Sequence, residues 1–290
     1  MDLLKNKVRD KGFEFGMDLV GFTDLSRLKD APKRFQATDY LPTAKSVIVV
    51  GCHFPEGSVE NWTKTPSSYQ YYGYALINKE LGRACLHISK LVEKEGYRCF
   101  PIVPTGHSKD WDHKKQLGEF SHRHAAVAAG LGEFGYNRLV ITPEYGNRIR
   151  FCSIITEAPF PPDPMYDGPT LCDRCKKCIT ACPGNCLDES KLLNCQVGEK
   201  TFEYTTLYHF KCFYHLLGLG PKTGAGLDIK GPKKKGELSQ LGFLKRYIKA
   251  FILRFQKFQY ISRQQNAVDW IEFCGRCLHV CDRPLKRFKP

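Results

Sequence analysis

The cysteines constrain this chain more than any other feature. Cys172, Cys175, Cys178 and Cys182 follow one another at gaps of two, two and three residues, and Pro183 closes the run. Chains that hold paired [4Fe–4S] cubes use this spacing: three thiolates grip one cube and the fourth is turned toward a second. A second run, Cys274, Cys277 and Cys281, repeats the last three positions, with Ile271 where a first cysteine would stand. Zinc sites usually pair two CxxC knuckles, so this pattern favours clusters over zinc. Two cubes need one thiolate more than the runs supply, and Cys186, Cys195 and Cys212 are the candidates. Cys195 is the expected ligand, because it lies in a segment able to loop back. Cys186 sits close to the turn at Pro183, and Cys212 falls in an aromatic helix. Crossed ligation then predicts Cys172, Cys175, Cys178 and Cys281 on one cube and Cys182, Cys195, Cys274 and Cys277 on the other.

The rest of the chain is compatible with a folded two-domain protein. Its 290 residues are 42% hydrophobic and 26% charged, with no apolar stretch long enough to span a bilayer. The N-terminal residues show no export signal, so the expected location is cytoplasmic. Ten of the fourteen cysteines lie from Cys172 onward, beyond a Pro-rich connector from Ala158 to Pro169. Such composition favours extended, solvated chain, and it sets expected domains at 1–165 and 166–290. Most of the +14 net charge lies in the second. From 230 to 263 there are ten basic residues and one acid, Glu237, in a Lys-rich loop and a basic amphipathic helix from Leu241 to Tyr260. That helix covers the cluster domain as core, lies on an anionic membrane surface, or docks an acidic electron donor such as flavodoxin or ferredoxin; a tRNA is a further partner for it.

Residues 1–165 read as mixed α and β. Helical spacing covers 3–20 and ends near Gly21; Leu76 to Glu95 is an amphipathic helix closed by Gly96; Arg123 to Leu131 is a helix followed by Gly132. Strands are expected at Ser46 to Gly51, Arg98 to Val103, Arg138 to Thr142 and Arg150 to Ile155.

The stretch AAVAAGLGEFGYNRLVITPEYGNRIRF from Ala125, followed by the connector and CDRCKKCITACP, resembles the cobalamin-dependent epoxyqueuosine reductases and reductive dehalogenases. The wording GLGE and ITPEYG is nearer the dehalogenases. The resemblance implies an α+β protein: a nitroreductase-like α/β domain holding base-off cobalamin, then a bacterial-ferredoxin-like double-cluster domain. It also implies that a cysteine between the two runs completes the second cluster, as Cys195 would. Counting back from AGLG, the acidic proton donor of the epoxyqueuosine reductases falls near Gln116, and an amide cannot serve as that acid. Asp282 replaces the proline usual after the last cysteine.

For the cofactor, the expected contacts are Gly130, Gly132 and Gly135, where backbone without Cβ could approach a flat macrocycle; Gly146, turning after Tyr145; and Arg148, able to clamp an amide or phosphate. Helix capping and tight turns account for the same glycines equally well. Tyr72, Tyr74 and His122 are candidates for a proton donor. The function expected from this resemblance is an iron–sulfur reductase that cleaves a carbon–oxygen or carbon–halogen bond in a small molecule or nucleoside. The alternative is an electron-transfer or corrinoid-activating protein without an organic substrate.

Overall fold

A computed structural model describes residues 1–31, 36–61, 66–105, 119–216 and 274–282. The Lys-rich loop, the basic helix and Gln116 lie outside these residues.

A four-stranded antiparallel sheet organises the first part. Its strands are β1 (Leu19–Asp24), β2 (Ser46–His53), β3 (Cys99–Pro101) and a long later strand, Ile149–Thr156, ordered β1-β2-(149–156)-β3. The β-branched run of β2 puts it in the interior, where alternate residues point to opposite faces. Ile48 and Val50 join one buried cluster with Phe22, Cys152 and Ile154, and Val47 and Val49 join another with Phe151 and Ile155. Helix α1 (Asp2–Glu14) and helix α5 (Ile77–Lys94) cover the first face. Leu81, Ala84, Cys85, Ile88 and Val92 recur at helical spacing there and are fully buried or nearly so. The short helix α2 (Ala37–Tyr40) precedes β2, and between β2 and α5 lie the short helices α3 (Glu56–Glu60) and α4 (Pro66–Gln70) and a π-helical turn, Tyr71–Leu76. Helix α6 (His122–Ala128) packs its alanines on the second face.

Helix α1 stops at Glu14 rather than near Gly21, because Gly16 adopts φ +74 and reverses the chain into β1. After α6, Glu133–Phe134 (β4) and Val140–Ile141 (β5) form a small separate ladder and Thr142 bridges to Gly146, so the later part of the expected strand from Arg138 to Thr142 is paired, outside the main sheet. The long sheet strand is β6 in chain order.

The connector is extended, anchored at its start and exposed toward its end, at Asp167, Gly168 and Pro169. Ala158 and Phe160 are buried, and Phe160 packs on Phe22 at 5.0 Å between ring centres. Asp163 runs along the outer side of β1: its N–H donates to Phe22 O (2.9 Å), and its carboxylate accepts from Phe22 N (2.9 Å), Arg9 Nη2 (2.6 Å) and Lys5 Nζ (2.8 Å). Phe22 thereby satisfies backbone groups that an edge strand would leave open.

Beyond the connector come α7 (Lys177–Thr180), a hairpin of β7 (Leu187–Val197) and β8 (Lys200–Leu207), α8 (His209–Leu216), and α9 (Arg276–His279). The hairpin turns on Gly198 and Glu199, with φ +56 at Gly198, as two-residue hairpin loops favour. Its Val197 and Tyr204 enter the same buried cluster as Val47 and Val49, and Leu278 of α9 enters the cluster of α1 and α5.

Candidate cluster and cofactor site

The loop of the first cysteine run is curled tightly. Arg174 (φ +53), Lys176 (φ +61) and Asn185 (φ +45) occupy the left-handed region, which residues with a Cβ rarely enter. This curvature gathers the thiols. Around Cys178, burial together with Cys281, Cys172 and Cys175 pushes the thiol up to about 12. The Cys172 sulfur accepts the Tyr136 N–H at 3.3 Å, while the amides of Leu171 and Cys172 are held by Glu133 Oε1 at 2.6 and 3.1 Å. Asp282 is bound to Lys177 of α7, Nζ to Oδ2 2.7 Å, so the residue in the unusual place after Cys281 fastens one cysteine run to the other.

Cys182 faces the other way. Its thiol is lowered to about 6, first by a hydrogen bond from the Cys186 thiol and then, against burial, by the amides of Cys186, Gly184 and Leu187. Cys274, raised to about 11 by burial, has Cys212 and Cys182 among its charged neighbours, and Cys277 has Cys274, Cys212 and Cys182. Cys281 thus lies near Cys172, Cys175 and Cys178, and Cys182 lies near Cys274 and Cys277, with Cys178 also a neighbour of Cys277. Among the described residues no three or more His, Cys, Asp or Glu side chains could hold a single metal ion.

Cys195 does not join the second group. Its side chain is buried beside α6, with the sulfur 3.2 Å from His124 Nε2 and in contact with the Tyr204 hydroxyl; His124 Nδ1 in turn meets Ser121 Oγ at 2.5 Å. The segment expected to loop back is a strand; Leu187 and Cys195 pair with Leu207 and Phe202, five residues apart on β8, so at roughly 3.3 Å per residue it carries Cys195 on the order of 17 Å from Leu187. Cys212 takes the position instead. Tyr208 N–H donates to Cys186 O at 2.8 Å, which starts α8 beside the first run and returns Cys212 to Cys182.

The glycines expected at the cofactor meet the chain itself. A Cβ on Gly130 (φ +75) would lie 1.9 Å from Pro164 O, one on Gly132 2.1 Å from Ile141 O, and one on Gly135 2.7 Å from Ile141 Cδ1. Gly130 caps α6, and the close approach belongs to the connector and β5 rather than to a macrocycle. Gly146 (φ +56) closes a turn with Thr142, and Tyr145 is buried, stacked on His53 at 4.8 Å.

Arg148 is 4% exposed, ion-paired with Glu56 and 3.7 Å from Glu60, and its Nη2 points at His279 O (3.5 Å). The side-chain amides of Asn137 and Asn147 both reach Cys277 O at 3.4 Å, and His279 Nδ1 donates to Val59 O at 2.8 Å. The motif after α6 thus seats the second cysteine run. In that seat two buried atoms, Asn147 Oδ1 and Arg148 Nε, have no hydrogen-bond partner among the described residues. One acceptor and one donor left open in this way fit a polar ligand that carries amides.

The expected proton donors are differently placed. Tyr72 is exposed and edge-on to Tyr71, and Tyr74 lies under the Arg150 guanidinium at 3.9 Å. Both ring nitrogens of His122 are engaged, Nδ1 with Ser153 Oγ (2.9 Å) and Nε2 with Val103 O (3.1 Å). Burial, helped by nearby arginines, lowers His122 and His124 to about 4 from an ordinary 6.5. Both are neutral in the fold, while the unfolded chain takes up protons below 6.5. Their stabilising contribution is therefore full above pH 6.5 and lost as the pH falls toward 4. Urea midpoints should drop across that window, and His122→Gln with His124→Gln should flatten the drop; equal slopes for both proteins contradict the assignment.

A pair that the sequence did not suggest is Asp18 and His53. Asp18 Oδ1 lies 2.9 Å from His53 Nδ1, and Oδ2 accepts the His53 N–H at 2.8 Å. Burial raises the Asp18 carboxyl, but the contacts with His53 and with Tyr145 outweigh it and hold the group below its usual range. Asp18 thus meets both the ring and the backbone N–H of His53 and sets a carboxylate against an imidazole, a group suited to proton exchange. Nothing local in the sequence links residues so far apart; β1 and β2 bring them together.

Fold and site define a mixed α/β protein with an antiparallel sheet and two crossed sets of cysteines. No family model matches the chain. It is 41% identical over 80 residues to epoxyqueuosine reductase of Bacillus subtilis, covering 27% of this chain and 20% of that one. It is 27% identical over 195 residues to the enzyme of that name from Gloeobacter violaceus, covering 65% and 54%. A tetrachloroethene reductive dehalogenase of Sulfurospirillum multivorans is 36% identical over 86 residues, 29% of this chain and 16% of the dehalogenase. The chain thus spans about half the length of one relative and a fifth or less of the others. Among solved structures, epoxyqueuosine reductase with an epoxyqueuosine-modified tRNA-Tyr stem loop superposes at TM-score 0.53 and 20% identity over 83% of this chain and 65% of that one. The catabolic reductive dehalogenase NpRdhA gives 0.53 and 19%, over 72% and 28%. The chain resembles the epoxyqueuosine reductases and reductive dehalogenases in sequence and shares their fold.

Proposed function

We propose that this protein is an iron–sulfur reductase in which two [4Fe–4S] clusters pass single electrons to a base-off cobalamin, for reductive cleavage of a carbon–oxygen, carbon–halogen or related bond. The observation that carries the reading is the exchange of Cys182 and Cys281 between the two thiol groups, which brings the clusters side by side. Cys172, Cys175, Cys178 and Cys281 hold one cluster, and Cys182, Cys212, Cys274 and Cys277 hold the other. Residues 1–165 and 166–290 serve as cofactor and cluster units in this reading.

Amides of Tyr136 and Cys186 donate to the Cys172 and Cys182 sulfurs, and with clusters held there these donors would offset the charge of an added electron. Asn147 and Arg148 offer their open acceptor and donor to corrinoid amides, and cobalamin when bound supplies a strongly reducing cobalt centre. His53, paired with Asp18, is the group suited to supply the proton that a leaving group requires. Electrons come from a low-potential carrier such as ferredoxin or flavodoxin, in the cytoplasm. The substrate is a small molecule or nucleoside, with tRNA drawn in by the likeness to the stem-loop complex. Among the described residues no helix is long and apolar enough to cross a membrane, and contact with a membrane surface rests on the basic segment alone.

The filled glycine positions favour a second reading, an electron-transfer or corrinoid-activating protein without its own organic substrate. Protein purified without oxygen after cobalamin supply decides between them. Stoichiometric corrinoid with iron supports the reductase; iron without corrinoid supports the carrier; colourless or zinc-loaded protein overturns both.

A further inference from the structure

The second thiol group contains one cysteine too many. Asn185 in the left-handed region folds the chain back after Pro183, so that the Cys186 N–H points at the Cys182 sulfur, 3.2 Å away. The Cys186 side chain is 2% exposed and its thiol touches both Cys182 and Cys212. Its carbonyl is fixed by the Tyr208 N–H at 2.8 Å, and there is no room to swing away: a Cβ on Gly184 would lie 2.7 Å from Cys186 Sγ and 2.3 Å from His215 Cδ2. The Cys274 and Cys277 thiols have Cys182 and Cys212 among their charged neighbours. Cys186 lies against these same two sulfurs, through its thiol and, at Cys182, through its N–H as well.

Resting on the cluster reading above, we infer that Cys186 is not a ligand but a fixed thiol donor to the second cluster's ligand sulfurs, placed to set that cluster's reduction potential. Its S–H and N–H together direct two donors at cluster sulfur. Donors to cluster sulfur stabilise the reduced state, which carries the extra negative charge, and so raise the potential. Cys186 acts on the cluster through Cys182 and Cys212, which makes it a positioning residue.

The test is potentiometric electron spin resonance with iron analysis on holoprotein purified without oxygen. Cys186→Ala should keep about eight irons per chain, as two cubes require, and leave the first cluster's potential unchanged, while the second cluster's potential moves negative. Cys186→Ser, which restores a donor, should recover part of the shift. Loss of about half the iron in Cys186→Ala would make Cys186 a ligand, and an unmoved potential would make it filler; either result overturns the inference. Failure of the underlying reading is separately visible, as wild-type protein without iron.

Discussion

Replacing Cys212 by serine is expected to remove about four of about eight irons from anaerobically prepared protein, and replacing Cys195 by serine to remove none. The difference comes from placement. Cys212 shares a small volume with Cys182, Cys274 and Cys277, whereas the Cys195 sulfur is spoken for by His124 and Tyr204. Iron analysis with visible absorption reads the outcome directly. Iron lost from the Cys195 variant and kept by the Cys212 variant would reverse the assignment of the fourth ligand.

Truncating Arg148 to alanine should destabilise the protein by about 3–5 kcal/mol, because the Glu56 carboxylate, itself only 13% exposed, would remain in place without its partner. The same change removes the contact to His279 O and so loosens the seat of the second cysteine run. Urea unfolding measures the loss. Replacing both partners, Arg148→Met with Glu56→Gln, should restore a large part of it, since the penalty lies mainly in the stranded charge. An Arg148→Ala midpoint within error of wild type would show that the pair is not closed in solution.

What the sequence discloses depends on how local the cause is. The run spacing is a local code, and the division of Cys178 and Cys182 between two groups follows from where short backbone gaps can point a sulfur. The choice between Cys195 and Cys212 depends instead on the conformation of 187–207. There, β-branched and aromatic residues around Gly198 and Glu199 carried a hairpin signal that a looping segment does not need. Gly16 similarly marked the end of α1, but the apolar residues after it continue a helical pattern and conceal β1. The glycines of the motif after α6 are a different case. A missing Cβ shows that something comes close, and only the fold shows that Pro164 and Ile141 do so. Asp18 and His53 could be paired only through the register Leu19 to Gly51.

The Asp163 strap along β1 also bears on how copies of this molecule meet. At the opposite border, β3 is three residues long and includes Pro101, which has no N–H to offer. With both rims of the sheet thus shut, a stray strand from another copy finds no template on which to polymerise, and self-association of the folded protein should not proceed by strand addition to this sheet.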